Sequence, residues 1–441
     1  MNPITVVGAG LAGCEAAWQI VRRGIPVRLC EMKPQKYSPA HKSPDFAELV
    51  CSNSLKAARV ESAAGLLKEE MRRLNSLLLP IADSCAVAAG GALAVDREKF
   101  AAAVTDAIRS HPLIEVCEGE VEAIPDGLCV IATGPLTSDR LAEEIERLCG
   151  RERLSFYDAA APIVTAESID MDNAFAASRY DRGGDSDYIN CPMNKEQYEA
   201  FYEALVTAER AETHAIDRPN VYEGCMPIEI MARRGADTIR FGPMKPVGLR
   251  DPRTGHRPWA NLQLRREDAE GSRYNLVGFQ TNLKFGEQRR VFGMIPALAN
   301  AEYVRYGVMH RNTFIDSPRL LSPDFSLKEN KNIFFAGQIT GVEGYMESAG
   351  TGILAGINAA RRAIYRQSLV LPQETMLGAL TAHVSCEALS TDFQPMGANF
   401  GILPPLVEKI RDKQQRYAAL STRALIYLTE ATRSVGILLR K

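Results

Sequence analysis

The chain carries Ile4-Thr5-Val6-Val7-Gly8-Ala9-Gly10-Leu11-Ala12-Gly13, a short apolar run followed by three spaced glycines. A helical pattern over Cys14–Arg23 comes next, then a second apolar run, Pro26–Cys30, and the unit closes at Glu31. Strand, glycine turn, helix, strand and acid in this order are typical of a dinucleotide-binding unit. The beginning of the sequence therefore predicts a Rossmann-like α/β domain.

The glycines and the acid of this unit each have a physical role. Gly8 allows the tight turn, and Gly10 lets the backbone approach a pyrophosphate at the helix N-terminus. Gly13 lets helix and strand pack closely, and Glu31, 18 residues later, accepts hydrogen bonds from ribose hydroxyls. We predict that Gly8-Ala9-Gly10-Leu11-Ala12-Gly13 and Glu31 bind a nucleotide cofactor. The unit alone fits NAD, FAD and S-adenosylmethionine.

Two later stretches favour FAD. Leu128–Ile131 leads into Ala132-Thr133-Gly134, similar to the segment at which flavoproteins with two dinucleotide-binding domains return to the cofactor. Ile333–Ala336 leads into Gly337-Gln338-Ile339-Thr340-Gly341, and a helical pattern over Tyr345–Tyr365 follows. Small residues at a second helix N-terminus suit a pyrophosphate and the flavin edge. From this second stretch the predicted cofactor-binding residues are Gly337, Gln338, Ser348, Gly350 and Thr351.

Each of these later stretches alone also fits an ordinary strand-to-helix turn. Together with the first unit they favour FAD over NAD, and S-adenosylmethionine would not need the distant return. The predicted fold class is α/β: a Rossmann-like FAD-binding domain of the glutathione-reductase-like flavoprotein type, an inserted α+β domain and a helix-rich C-terminal tail. The predicted boundaries are 1–154, 155–324 and 325–441.

Several further elements follow from hydrophobic periodicity and helix-capping residues. Strand-like pieces are expected at Tyr188–Cys191 and Thr238–Phe241. The expected helices are Val60–Asn75, Arg97–Arg109 with Asp96 as N-cap, Leu136–Cys149, Lys195–Arg210, Gln373–Leu389, Pro405–Ala419 and Thr422–Val435.

Composition restricts the class of protein. The 441 residues are 46% hydrophobic and 24% charged, which is ordinary for a globular protein of two or three domains. No apolar run reaches membrane-spanning length, and the first residues lack the pattern of a signal peptide. The ten cysteines are scattered without a CxxC pair. We therefore expect a cytoplasmic protein that has no membrane-spanning segment, no metal site and no disulfide framework.

The charge is unevenly distributed along the chain. The net charge is −2, yet Ala232–Arg311 holds 15 Lys and Arg against 7 Asp and Glu. In Pro405–Lys441 the numbers are 8 and 3. Such surfaces permit binding of a polyanion such as RNA, but charge alone equally describes a solvated face.

Two cysteines stand in polar, turn-rich surroundings. Cys51 lies in Leu49-Val50-Cys51-Ser52-Asn53-Ser54-Leu55, where Ser and Asn suggest the N-cap of a following helix whose positive end would favour a thiolate. Cys225 lies between Gly224 and Pro227, in an irregular turn that could present its sulfur. For any single cysteine the alternative is a buried, inert thiol. Cys191, before Pro192, is a weaker third candidate.

With these motifs laid out, the sequence resembles the folate- and FAD-dependent tRNA (uracil-5-)-methyltransferases, the TrmFO family, over essentially the whole chain. Besides the first glycine turn, the resemblance rests on Glu48–Leu55, Tyr222–Glu229, Asn275–Leu283, Arg305–Asn312 and Ala336–Tyr345. Several of these are not general flavoprotein motifs.

The resemblance implies an activity and the residues that perform it. The family uses methylenetetrahydrofolate as carbon donor and reduced FAD as electron source, regenerated by NAD(P)H. Its product is 5-methyluridine at position 54 of the tRNA T-loop. The motif cysteines Cys51 and Cys225 are implied to be catalytic. His310 is similar to the family residue that stacks the folate pterin against the flavin, although it also reads as a structural histidine.

The chemistry divides the work of the two thiols. Uracil C5 is a poor nucleophile until a thiolate adds to C6. We assign that addition to Cys225, with Cys51 near flavin N5 as base for the C5 proton or as protection for the carbon unit. The reverse assignment remains open.

Other functions fit parts of the sequence. A related methyltransferase could act on ribosomal RNA, and wobble-uridine-modifying enzymes share the nucleotide motifs but are considerably longer. A flavin oxidoreductase for small molecules would not need the local basic excess. A non-catalytic RNA-binding protein that keeps FAD would not need the two cysteines.

Overall fold

The computed structural model describes residues 2–150, 154–181, 187–211, 226–389 and 393–440. Its strands are β1 (Ile4–Val7), β2 (Val27–Glu31), β3 (Ser54–Ala57), β4 (Ala86–Val87), β5 (Ala92–Val95), β6 (Ile114–Glu118), β7 (Cys129–Ile131), β8 (Leu154–Ala159), β9 (Ile163–Thr165), β10 (Phe175–Ala176), β11 (Tyr188–Met193), β12 (Ala260–Arg266), β13 (Arg273–Leu276), β14 (Tyr303–Arg305), β15 (Met309–Phe314) and β16 (Ile333–Phe335). Its α-helices are α1 (Leu11–Val21), α2 (Ala63–Arg73), α3 (Leu78–Ser84), α4 (Arg97–Arg109), α5 (Asp139–Cys149), α6 (Lys195–Thr207), α7 (Ile228–Ala232), α8 (Thr238–Phe241), α9 (Phe285–Phe292), α10 (Ser317–Leu320), α11 (Tyr345–Ala363), α12 (Met376–Ser385) and α13 (Lys413–Ser434).

A five-stranded parallel sheet is built from the two ends of the chain. Its strand order is β16-β7-β1-β2-β6, so the late strand β16 lies beside β7. β1 is apolar and almost wholly buried, as expected of a parallel strand covered on both faces. The chain thus leaves this sheet after β7 and returns to it at β16, which agrees with the predicted α/β fold class.

Helices α1 and α11 cross at backbone contact on this sheet. A Cβ atom added at Gly352 would lie 2.2 Å from the carbonyl oxygen of Ala12, and one at Gly356 would lie 2.5 Å from that of Ala16. Only glycine permits this approach. The crossing brings the first glycine turn and the Gly337 turn together, since a Cβ at Gly337 would lie 3.0 Å from the Cβ of Ala12.

A second sheet lies between the two halves of the first in sequence. It has six strands in the order β10-β11-β12-β13-β9-β14, and it forms its own hydrophobic core with α6 and α9. Phe279 stacks on Phe201 there, with centroids 6.1 Å apart, and meets Phe292 edge to face at 5.2 Å. The two-stranded sheet of β8 and β15 flanks it in sequence. The boundaries at 154/155 and 324/325 stay predictions.

Most predicted helices are present, but two predictions were wrong. α4 begins after Asp96, whose carboxylate accepts a hydrogen bond from the N–H of Lys99, as expected. Thr238–Phe241 is the short helix α8 and not a strand, because the turn after Gly235 leads directly into helical hydrogen bonds. The two predicted tail helices are one, α13, which begins only after Asp412. Ser421 lies inside it and donates its hydroxyl to the carbonyl of Val60.

Three properties of the described residues bear on function. No helix among them combines the length and the apolar character needed to cross a bilayer. No group of three or more His, Cys, Asp and Glu side chains among them is arranged to hold a metal ion. The nine cysteines that they contain are free thiols.

Candidate active site

The first cavity lies at the carboxyl ends of the parallel strands, where cofactors bind in doubly wound sheets. It encloses about 1130 Å³ of empty space that opens to solvent. Most of the predicted cofactor-binding residues line it: Gly8, Ala9, Gly10, Leu11, Ala12, Glu31, Ala132, Thr133, Gly134, Gly337, Gln338 and Ser348. Three separate turns of the sequence therefore converge on one elongated space.

Three predicted cofactor-binding residues do not line this cavity: Gly13, Gly350 and Thr351. They support the residues that do. A Cβ at Gly13 would lie 1.8 Å from the carbonyl oxygen of Gly8, so this glycine packs the helix on its own turn. Gly350 faces the side chain of Leu377. The hydroxyl of Thr351 accepts a hydrogen bond from the N–H of Gly337 at 2.7 Å, which fixes the second turn.

Glu31 lies at the end of β2 and is almost fully buried. Its Oε2 accepts a hydrogen bond from the N–H of Ala9 at 2.7 Å, and its Oε1 accepts one from Lys33 at 3.0 Å. A carboxylate has about four acceptor positions, so lone pairs remain for two ribose hydroxyls. Glu31 thus joins the first glycine turn to the end of β2 and keeps acceptor positions for a ligand.

The chemistry of the wall fits an anionic dinucleotide. α1 begins after Gly10 without a side-chain cap, and its first N–H groups face the glycine turn. Free N–H groups at a helix N-terminus bind phosphate oxygens. Nothing would lie within 4 Å of a Cβ atom at Gly10, so the backbone there is open to a pyrophosphate.

A second cavity, of about 1170 Å³, adjoins the first. The two share the wall residues Val50, Pro135, Leu136, Gln338 and Tyr345. Cys51 lines the second cavity and not the first, with Ala159 and Asn312 on other parts of the same wall. A half-buried thiol therefore lies next to the junction of the two spaces.

Cys51 does not precede a helix, which corrects the sequence prediction. Ser54–Ala57 forms β3, which pairs with β5, so the residues after Cys51 do not begin a helix. Instead the phenol oxygen of Tyr345 accepts hydrogen bonds from the N–H groups of Cys51, at 2.7 Å, and Ser52, at 3.2 Å. The Cys51 sulfur lies 3.8 Å from the carbonyl oxygen of Ala159.

Three arginines hold the loop that carries Cys51; we call them the arginine cluster (Arg97, Arg265 and Arg305). Arg97 donates to the carbonyl oxygens of Leu49, at 2.6 Å, and Cys51, at 3.1 Å. Arg305 donates to the carbonyl of Val50, and Arg265 donates to the hydroxyl of Ser52 at 2.7 Å. The cluster comes from α4, β12 and β14, so elements of both sheets fix the loop.

The arginine cluster also makes this loop electropositive. Burial lowers the pKa of Arg265 and Arg305 below that of a free guanidinium, and both interact electrostatically with Cys51. Burial lowers the pKa of Arg97 as well, but the carboxylate of Glu267, 2.5 Å away, outweighs it and the net shift is upward. These residues were not predicted from the sequence; the basic excess of Ala232–Arg311 covers Arg265 and Arg305 but not Arg97.

Comparisons with known proteins agree with this arrangement. A family model described as Glucose inhibited division protein A matches residues 3–367. A methylenetetrahydrofolate--tRNA-(uracil-5-)-methyltransferase TrmFO of Desulfitobacterium hafniense (strain Y51) is 57% identical over 438 residues, which are 99% of this chain and 100% of that protein. The TrmFO of Listeria monocytogenes serotype 4b (strain F2365) is 57% identical over 422 residues, 96% of this chain and 97% of that protein.

The chain belongs to the TrmFO family. The resemblance identified from the motifs is thereby confirmed. The fold is also that of Aquifex aeolicus GidA, whose form I crystal structure superposes with a TM-score of 0.70 at 17% identity and covers 97% of this chain and 76% of that one.

The structure describes the remaining candidate residues to different extents. Cys225 lies outside the described residues, but Ile228, three residues later, donates its N–H to the carbonyl of Gln280, which lines the second cavity. His310 lies in β15, two residues before Asn312 on that wall, and its backbone pairs with Asp158. Cys191 is fully buried, and burial raises the pKa of its thiol, as in the inert alternative.

Proposed function

We propose that this protein methylates C5 of a tRNA uridine, at T-loop position 54, in the cytoplasm. Methylenetetrahydrofolate supplies the carbon, and FAD, reduced by NADH or NADPH, supplies the electrons. The observation that carries the proposal is the position of Cys51, on the wall of a second cavity that shares Gln338 and Tyr345 with the first cavity, where the glycine turns meet. The name of the 57% identical relatives supports the same reaction.

The first cavity would hold FAD. Gly10 and the first turn of α1 would face the pyrophosphate, and Glu31 would accept the ribose hydroxyls. Gln338 and Ser348 would lie toward the flavin end, since Gln338 also lines the second cavity. When bound and reduced, the flavin supplies the hydride that converts a methylene group to a methyl group.

The thiols would activate the uracil. A thiolate of Cys225 would add to C6 and give C5 the electron density to attack the methylene carbon, whose bond to its carrier nitrogen breaks with the electron pair left on that nitrogen. A base then removes the C5 proton, and loss of the thiolate restores the C5–C6 double bond. Cys51 would act as this base or shield the carbon unit, and the fixing of its loop by Tyr345 and the arginine cluster supports this role. The opposite division of roles is the alternative outcome of the experiment below.

The second cavity would admit the folate and the target base. Asn312 and Gln280 line it opposite the Cys51 loop, and β15 carries His310 past the same wall. We propose that His310 stacks on the pterin.

The decisive experiment measures methyl transfer from labelled methylenetetrahydrofolate to a T-loop transcript, with NADH and NADPH compared. A visible flavin spectrum, methylation of the transcript and loss of methylation when its target uridine is changed to cytidine are expected. Cys51→Ala and Cys225→Ala should abolish methylation while the flavin stays bound. Cys386→Ala is the matched control, because that thiol is exposed and lies in neither cavity.

Further arms separate the alternatives. A 5-fluorouridine transcript should form a covalent protein–RNA adduct that mass spectrometry assigns to Cys225, and an adduct that persists in Cys225→Ala would reverse the roles of the thiols. Preference for a ribosomal RNA fragment would change the substrate. NAD(P)H oxidation without RNA methylation would indicate a small-molecule oxidoreductase, and unchanged tRNA binding without any methylation would indicate a binding protein.

A further inference from the structure

Three aromatic rings form a stack on the surface of the second sheet; we call them the aromatic ladder (Tyr303, Tyr306 and Phe285). The Tyr306 ring lies in the middle, 4.6 Å from the centroid of Phe285 at 18° and 4.9 Å from that of Tyr303 at 7°. Phe285, at the start of α9, is 55% exposed. A near-parallel stack that ends in an exposed ring presents a flat apolar face to solvent.

The chain segment that carries Tyr306 contacts the wall of the second cavity through the residues on either side of Tyr306. Arg305, directly before Tyr306, donates to the carbonyl of Val50, beside Cys51. Gly307, directly after Tyr306, is in close contact with the second cavity's wall, since a Cβ atom there would lie 2.7 Å from the carbonyl oxygen of Ala160. The backbone at Tyr306 is thus bracketed by two contacts with the candidate active site.

Three cationic side chains lie near the aromatic ladder in space or in sequence, and two of them pair with the carboxylates of Glu209 and Glu287. Arg289 donates to the phenol oxygen of Tyr306 at 2.7 Å, which places a guanidinium at the edge of the stack. Lys284 and Arg290 flank Phe285 in sequence and form exposed ion pairs, which contribute little and exchange easily for phosphate contacts. An aromatic face with cations at its edge suits a nucleobase attached to its phosphates.

A second group of aromatic and basic residues differs from the aromatic ladder in two ways: its rings are already covered, and it lies far from the Cys51 loop. The Arg240 guanidinium lies 3.9 Å from the ring centroid of Trp259 and 4.8 Å from that of Phe241, so a cation already covers those rings. Trp259 precedes β12, whose other end carries Arg265 of the arginine cluster. The length of that strand separates Trp259 from the Cys51 loop by about 20 Å.

We propose that the aromatic ladder is a stacking platform for an unpaired base of the RNA next to the uridine that enters the second cavity. The proposal rests on the proposed function, because it takes the substrate to be a structured RNA. A base inside a duplex is stacked on both faces, whereas removal of one nucleotide from a loop exposes the face of its neighbour. Phe285 would receive that face and extend the stack by one ring.

The test replaces Phe285 with Ala and measures the Kd of full-length tRNA, together with kcat and KM for methylation. We expect Phe285→Ala to raise Kd and KM about tenfold, within the range for loss of one stacked base, with kcat changed less than about twofold. Phe285→Tyr should restore binding. Val304→Ala is the matched control. Val304 is 48% exposed and adjacent to Tyr303 in sequence, so this substitution removes exposed apolar surface but no aromatic ring.

Two further readouts distinguish stacking from charge and from misfolding. Loss of a stacked base leaves the salt dependence of Kd unchanged, whereas Arg289→Gln would flatten it. The rate of NAD(P)H oxidation without RNA should be unchanged in Phe285→Ala. A fully paired RNA duplex should bind wild type and variant equally.

The proposal is overturned if Phe285→Ala binds tRNA like the wild type, or if it loses affinity equally for tRNA and for the paired duplex. Binding is measured independently of methylation. A wild-type protein that binds tRNA without methylating it would therefore refute the proposed function while the comparison of binding constants still decides the role of the aromatic ladder.

Discussion

The phenol oxygen of Tyr345 accepts a hydrogen bond from the backbone N–H of Cys51 at 2.7 Å. Tyr345 is the first residue of α11, the helix that carries Ser348 on the wall of the first cavity. One helix therefore shapes the cofactor site and positions the loop of the candidate catalytic thiol. Burial raises the pKa of Tyr345 above its usual range, so the phenol stays neutral.

Tyr345→Phe should slow methylation while leaving FAD in place. The variant keeps the ring but removes the acceptor shared by the N–H groups of Cys51 and Ser52, which costs about 1–3 kcal/mol when buried donors lose their partner. We expect kcat to fall about tenfold or more. Tyr365→Phe, at an exposed position two residues after the end of the same helix, is the control. Full activity in Tyr345→Phe would show that the loop is held without this contact.

Arg97 should be required for both stability and rate, and the two can be separated. Arg97→Gln leaves Glu267 buried without its cation, which destabilises the fold by about 3 kcal/mol or more. Arg97→Gln combined with Glu267→Gln removes the unpaired charge. We expect the double variant to regain thermal stability but not kcat, because the carbonyls of Leu49 and Cys51 still lack their donor. Recovery of both would make Arg97 purely structural.

The fold could be predicted where function and local pattern coincide. The glycine turns at Gly8 and Gly337 have positive φ angles that few other residues adopt, and each follows a buried strand, so the sequence identifies them directly. The meeting of the two turns depends on Gly352 and Gly356. Their lack of a side chain matters only because α1 and α11 cross at these positions. Neither glycine is among the residues predicted to bind the cofactor.

The arrangement around Cys51 could not be predicted because it is tertiary. Ser52 and Asn53 resemble helix caps, yet both side chains accept hydrogen bonds from Arg265, more than 200 residues away in sequence. Once those side chains are engaged by an arginine they cannot cap a helix, and β3 forms instead. Local propensity was overridden by contacts with the second sheet.

Gly10→Ala and Gly13→Ala should separate cofactor binding from folding. A Cβ at Gly10 meets no atom within 4 Å and the residue has an ordinary negative φ, so the flavin-free protein should keep its stability. The same Cβ would occupy the space proposed for the pyrophosphate, and we expect FAD affinity to fall at least tenfold. A Cβ at Gly13 lies 1.8 Å from Gly8 O, so Gly13→Ala should lower the melting temperature of the flavin-free protein itself.

Fluorescence titration with FAD and thermal unfolding of the flavin-free variants check both expectations. Unchanged FAD affinity in Gly10→Ala would contradict the placement of the pyrophosphate at this turn. A Gly13→Ala protein with wild-type stability would contradict the close packing of α1 on its turn.

The buried carboxyl group of Glu70 should make the folding stability of the protein fall as pH rises. Burial raises the pKa of Glu70 to about 7, although the N–H groups of Met376 and Leu377, which it caps at the start of α12, lower it. Below about pH 4.5 the carboxyl is protonated in both the folded and the unfolded state. Between about 4.5 and 7 only the unfolded state loses the proton, so this contribution to folding stability declines through that window and is lost above pH 7.

Glu70→Gln removes this titration. We expect the variant to be less stable than wild type at pH 5, because an amide cannot accept from both N–H groups, and to approach wild type at pH 8. Thermal unfolding of the flavin-free proteins at the two pH values measures the difference. Glu69→Gln is the matched control, because Glu69 precedes Glu70 on α2 but is partly exposed and paired with Arg73. A gap between Glu70→Gln and wild type that stays constant from pH 5 to 8 would mean that Glu70 is ionised throughout, with its two N–H donors outweighing its burial.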